Sequence, residues 1–185
     1  MFGKLRQFIS HESGRPQVRF VVVFLAISVF LFSVYSFPYP EGSWARHWSD
    51  AYLRAYAHLA GCVLSIFERG IVLSGQNIVG RYSLRIIRGC DAVDAQILLV
   101  AAVLASPLHS WRWRIGGAIA GALLVLVANV ARICSLYYIG LFLPSYFDLF
   151  HHEVWPLVLI AFAGGVFVLW SRMAQGHGEV GRAAA

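Results

Sequence analysis

Five stretches of this chain contain no Asp, Glu, Lys or Arg: 20–40, 95–111, 115–131, 133–147 and 154–171. A helix that crosses the hydrocarbon core of a bilayer needs roughly 20 predominantly apolar residues, with about 17 as the lower limit. Runs of that length constrain the fold more than any single motif. The whole chain is 59% hydrophobic and only 13% charged over 185 residues, against about 25% charged in a soluble domain. Together these features predict an all-α multi-pass membrane protein and exclude a disordered chain, a fibrous repeat and an ordinary cytosolic enzyme. The net charge of +6 does not point to nucleic acid, because the basic residues flank apolar runs instead of lining a polar face.

The pattern predicts a single membrane-embedded unit over 1–185, with four transmembrane helices at 20–37, 91–106, 115–141 and 154–170. Lys4, Arg6, Arg15 and Arg19 precede the first, which places 1–19 in the cytoplasm. No small-x-small cleavage site follows that run, so it reads as a retained anchor and not as a signal peptide, and Pro38 and Pro40 stop it. Arg112 and Arg114, alternating with Trp111 and Trp113, mark a cytoplasmic connector with interfacial anchors. The 142–153 loop has Asp148 and Glu153 but no Lys or Arg and falls on the outer side. The polar 171–185 segment is a cytoplasmic tail. Four spans with both termini inside is the arrangement most consistent with this asymmetry.

Residues 42–88 are of a different kind. Tyr52, Tyr56, Leu59, Val63 and Phe67 have helical spacing, but Arg54 and His58 interrupt it, so 48–67 is expected to be an interfacial helix; if it crossed instead, the spans would number five. Ile71–Ile87, broken at Gly75-Gln76-Asn77 and Gly80-Arg81-Tyr82, reads as a small extracytoplasmic β-hairpin. The six arginines of this region run against the positive-inside rule, which long translocated loops obey poorly.

An ionisable side chain inside a span is a functional hypothesis by default, and Arg132 is the arginine that meets this description. It lies about 17 residues, or roughly 25 Å of helix, beyond Ile115, close to the outer end of its span, with Asn129 one turn earlier on the same face. Cys90 precedes the second span on the outer side, where a helix N-terminus favours thiolate. His151 and His152 precede the final span at the same level. Thiolate, imidazole and guanidinium make chemical sense as an acyl-transfer site: a nucleophile, a proton shuttle and a cation for the oxyanion. Competing readings remain open from spacing alone. Arg132 can pair with Asp94 as a structural bridge. His151, His152 and Glu153 with Asp148 have no HExxH spacing and are not expected to hold a metal. Cys62 and Cys134 are expected to be packing residues, and three cysteines form no disulfide framework. No cofactor motif is present.

Gly89-Cys90-Asp91-Ala92-Val93, Asn129-Val130-Ala131-Arg132 and Phe147-Asp148-Leu149-Phe150-His151 with Trp155-Pro156 resemble the exosortase/archaeosortase family, most closely the short exosortase subtype H, over roughly residues 50–170. These are multi-pass enzymes with Cys, Arg and His motifs in that order. The resemblance implies Cys90 as nucleophile, Arg132 as the family's conserved cation and His151 as base, His151 fitting better than His152 because it lies four residues before Trp155. Ala92 departs from the pattern, standing where many members have glycine. The implied function is that of a cysteine protease or transpeptidase with its active site facing the periplasm. Its substrates would be secreted proteins bearing a C-terminal sorting signal of motif, transmembrane helix and basic tail, cleaved through a thioester that an unidentified acceptor nucleophile resolves. Two rivals are a non-catalytic membrane scaffold or assembly factor for export of surface material, and a small transporter, which would need polar residues at mid-bilayer depth that the chain almost lacks.

Overall fold

The longest helix, Trp111–Phe142 (α4), organises the rest. At 1.5 Å per residue its 32 residues extend about 48 Å, well beyond the roughly 30 Å of a hydrocarbon core, so it serves two layers at once. The computed structural model describes residues 16–107 and 110–183. The expected cytoplasmic residues Lys4, Arg6 and Arg15, the connector positions 108–109 and the last two residues lie outside the described ones.

Pro16–Ser36 (α1), Val93–Ala105 (α3), the first two thirds of α4 and Trp155–Ala183 (α5) form an up-and-down bundle. Direction is fixed by contacts at the two ends. Tyr35 near the end of α1 reaches Asp91 just before α3, while Phe20 near the start of α1 stacks on Phe167 midway along α5. Leu99 and Val103 of α3, Ala118 and Val125 of α4, and Leu159 and Ala163 of α5 share one apolar core. Gly121 lets the backbone of α4 come close to Leu99, whose Cδ2 would lie 2.8 Å from an added Cβ.

Among the described residues three helices are long and apolar enough to cross a bilayer: Pro16–Ser36, Trp111–Phe142 and Pro144–Met173. With α1 exposing Val21, Val22, Leu25, Val29 and Phe30 outward, the architecture is that of a helical membrane protein. The run expected as a fourth span, 91–106, is a helix of only 13 residues, about 20 Å long. It starts late because Asp91 and Ala92 are not helical, and it stops at Ser106 before Pro107. The expected polar tail after Arg172 does not end α5, which continues to Ala183.

The second layer is a cap on the far third of α4. Trp44–Phe67 (α2) is amphipathic: Leu53, Tyr56, Ala57, Ala60, Gly61 and Leu64 are buried at helical spacing. Beneath it, Val72–Ser74 (β1), Asn77–Val79 (β2) and Ser83–Arg85 (β3) form an antiparallel sheet in the order β1-β2-β3, where a single hairpin was expected. The second turn, at Gly80-Arg81, adds the extra strand, with Val79 opposite Ser83. Ile78, Leu84 and Ile86 join the buried face of α2 and Ile133, Leu136 and Tyr137 of α4 in a separate core. Cys90 belongs to this cap core and Ala92 to the bundle core, so the Gly89–Ala92 turn lies where the two layers meet.

Candidate active site

Arg132 and Asn129 lie one helical turn apart on α4, at the junction of the layers, with exposures of 2% and 0%. Buried polar groups of this kind need partners, and here the partners are backbone carbonyls of the two segments that carry the other candidates. Asn129 Nδ2 donates to the Cys90 carbonyl at 2.9 Å. Arg132 Nη1 donates to the Gly89 carbonyl at 3.3 Å and lies 3.5 Å from Asn129 Oδ1; its Nη2 donates to the His151 carbonyl at 3.2 Å. The planar guanidinium thus ties the turn before α3 to the turn before α5, a geometry that suits arginine's fixed fork of donors.

The consequence is seen at the thiol: Cys90 Sγ lies 3.1 Å from His151 Nε2. His151 sits in a π-helical turn, Phe150–Val154, that precedes α5. The wider turn places its ring between Phe147, at 5.5 Å between centroids, and His152, at 4.5 Å. π-Turns are rare and recur at functional sites. His152 is exposed and makes no bond to the thiol, so of the two histidines left open by spacing, His151 is the one brought to Cys90.

The turn holding Cys90 is shaped by backbone conformation. Gly89 has φ +90°, and Ala92 has φ +53°, the left-handed region that costs an L-residue roughly 1–2 kcal/mol. Ala92 therefore occupies a position where glycine is the easier residue. The buried carboxylate of Asp91 faces the N–H groups of Gly89 and Val93 and accepts from the Tyr35 hydroxyl at 2.9 Å. Asp91, expected in the first turn of the helix, instead holds the turn that precedes it.

This arrangement corrects the expected electrostatics of Cys90. Proximity to a helix N-terminus was expected to favour thiolate, but the helix starts at Val93 and Asp91 occupies its leading N–H. Burial pushes the thiol up from its ordinary value; the Ile87 backbone and the Arg132 charge pull it down, and the Asp91 charge adds to the rise. A reluctant thiol beside an imidazole depends on that imidazole to take its proton.

Asp94 is not part of the trio. It is exposed and lines a separate small cavity with Gly89, Arg132 and Pro156. Among the described residues no ion pair within 4 Å joins it to Arg132, so the bridge anticipated as an alternative is not formed. Cys134 is half-buried, its Sγ 3.8 Å from the Ala60 carbonyl, whereas Cys62 is exposed, contrary to its expected packing role. Among the described residues no three His, Cys, Asp or Glu side chains converge as metal ligands do. Tyr35 and the carbonyl-clamping role of Arg132 were missed at the level of sequence. Tyr35 could have been found as the hydroxyl at the C-terminal end of the first apolar helix, level with Asp91.

Cys90 and His151 both line a cleft of about 230 Å³ whose walls are Tyr82–Ile87, Ile133, Leu136 and Phe147. A thiol and an imidazole in contact at the edge of an open cleft can perform nucleophilic acyl transfer. A scan against protein-family models and searches of characterised proteins and of solved structures return no match to the chain.

Proposed function

We propose that the protein is a membrane-embedded cysteine peptidase or transpeptidase of exosortase type, with Cys90 as nucleophile and His151 as general base and acid. The observation that carries this reading is the 3.1 Å approach of Cys90 Sγ to His151 Nε2, made by residues 61 positions apart and open to a cleft. The thiol passes its proton to Nε2 as sulfur attacks a peptide carbonyl. Collapse of the tetrahedral species breaks the C–N bond, and the imidazolium protonates the leaving amine. Water or an acceptor amine then attacks the thioester, giving its proton to His151 and restoring the thiol. Arg132 acts as a positioning residue that holds both reacting segments, and its charge favours the thiolate.

In this reading α3 completes a fourth, short crossing. Arg114 of α4 donates to the Leu104 carbonyl, so α3 reaches the level at which Trp111 and Trp113 begin α4. About 20 residues of α4 from Ile115 fill the hydrocarbon, which puts Arg132 at its outer margin and the cap in the periplasm. The exposed stripe Trp44, Trp48, Leu59, Val63 and Ile66 of α2 suits a helix lying along the lipid headgroups. The same proposal takes the cytoplasmic (inner) membrane as the location and a secreted protein with a C-terminal membrane anchor as the substrate, since such an anchor would deliver its preceding segment to this depth.

The test is co-expression with a tagged exported protein bearing a motif–helix–basic tail signal, read by mass spectrometry of its C-terminus. Cys90→Ala is expected to abolish processing. His151→Gln lowers it by about two orders of magnitude or more, in the range of lost general acid–base catalysis, and His152→Gln by less than about threefold. Unaltered processing by Cys90→Ala refutes the nucleophile assignment and returns the scaffold alternative.

A further inference from the structure

The cleft beside Cys90 has an unusual wall. Six consecutive residues, Tyr82 through Ile87, line it. Successive residues of a strand point to opposite faces, so a cavity over one face touches every second residue; one that touches all six follows the strand's edge. β3 is the terminal strand of the sheet, and its outer edge is the one concerned.

The ladder shows which backbone groups are free there. Gly80 N–H donates to the Tyr82 carbonyl and Ile86 N–H to the Gln76 carbonyl, and Ile78 lies opposite Leu84. Hydrogen-bonded and non-bonded pairs alternate in an antiparallel ladder, so Leu84 faces β2 with its backbone groups while those of Ser83 and Arg85 point outward. Among the described residues none of these outward N–H or C=O groups has a hydrogen-bond partner. Beyond Arg85 the chain runs directly into the site: the Ile87 carbonyl accepts from Cys90 N–H at 2.9 Å. An open edge is a template for another strand, and this one ends at a nucleophile.

We propose that the substrate docks as an added β-strand on the outer edge of β3, with main-chain hydrogen bonds to Ser83 and Arg85 setting the register that brings the scissile carbonyl to Cys90. The inference rests on the peptidase reading and names its substrate form: an extended segment of about five residues along the roughly 16 Å from Tyr82 to Ile87, recognised through its backbone, with side chains adding selectivity at alternate positions. Proline is excluded where a substrate N–H meets the edge.

The probe is an acetylated Thr-Val-Thr-Val-Thr chloromethyl ketone. Cys90 sulfur displaces its chloride, forming S–C and breaking C–Cl, with the thiol proton passing to His151. Labelling of the full-length protein in nanodiscs is followed by intact mass and compared with two analogues, N-methylated at residues 2 and 4 or at residues 1, 3 and 5. One set removes edge hydrogen bonds and the other does not, because only alternate N–H groups face a partner strand. At two lost bonds the expected slowing is about tenfold or more for one set, with the other within about twofold of the parent. Ser83→Pro, which removes one outward N–H and leaves the β2–β3 ladder intact, is expected to slow the parent probe by about two- to tenfold; if it fails to fold, the methylation pair alone decides. Equal rates for both analogues overturn strand addition even if Cys90 proves to be the nucleophile. In Cys90→Ala, hydrogen–deuterium exchange of 82–87 is expected to slow with the non-reactive pentapeptide amide. That protection, together with unimpaired processing by the same variant, would retain the docking and remove the peptidase reading.

Discussion

Replacing Arg132 by lysine separates the two things its guanidinium does. The fork spans two carbonyls, Gly89 at 3.3 Å and His151 at 3.2 Å, which belong to the segments carrying the thiol and the imidazole. A lysine ammonium is a single point on a flexible stem and reaches one of them. One charge-assisted hydrogen bond, about 1.5–3 kcal/mol, is then lost from the tie that keeps Sγ and Nε2 in contact. If the contact is needed for reaction, that energy appears as a fall of about 10- to 100-fold in the single-turnover rate, at about 1.4 kcal/mol per decade. The assay is quench-flow processing of a tagged substrate by purified protein in nanodiscs. A parallel pH series of Cys90 alkylation, on a Cys62- and Cys134-free background, reads the charge alone. Burial holds the thiol above its ordinary value and the Arg132 charge opposes that rise. Arg132→Gln, which removes the cation, must therefore move the alkylation midpoint to still higher pH, while Arg132→Lys leaves it near that of the parent. Wild-type turnover in Arg132→Lys would refute the clamp.

Two further expectations concern the frame around the site. At Ala92, with φ +53° and only 5% exposure, glycine is expected to change the unfolding midpoint little, relief of backbone strain being offset by a looser unfolded chain. Ala92→Val adds a β-branch to a left-handed position and is expected to cost about 1–3 kcal/mol, so equal midpoints for the two variants would contradict the turn described. A methyl at Gly140 would meet the ring of Tyr82, a wall of the cleft; Gly140→Ala is expected to destabilise the cap by about 1–3 kcal/mol, read by thermal unfolding in detergent and by faster hydrogen exchange over 72–86.

The level of the site is legible in the sequence. Along a membrane helix, depth is residue count times 1.5 Å, a one-dimensional quantity, so Cys90, Arg132 and His151 could be set at one height from the ends of the apolar runs. The membrane character and an amphipathic segment near 48–67 were readable for the same reason: composition and period are local. What escaped depends on rotation about the helix axes and on backbone turns. Spacing alone left open which histidine meets the thiol, and only the family resemblance favoured His151; the contact is made by a π-turn, Phe150–Val154, that no spacing marks. Asp94, three residues from Asp91, faces another cavity because the left-handed Ala92 intervenes. The upward push on the Cys90 thiol comes from burial between two layers, and the docking edge from the order of three strands. Contacts between residues distant in the chain create each of these, and no spacing along it encodes them.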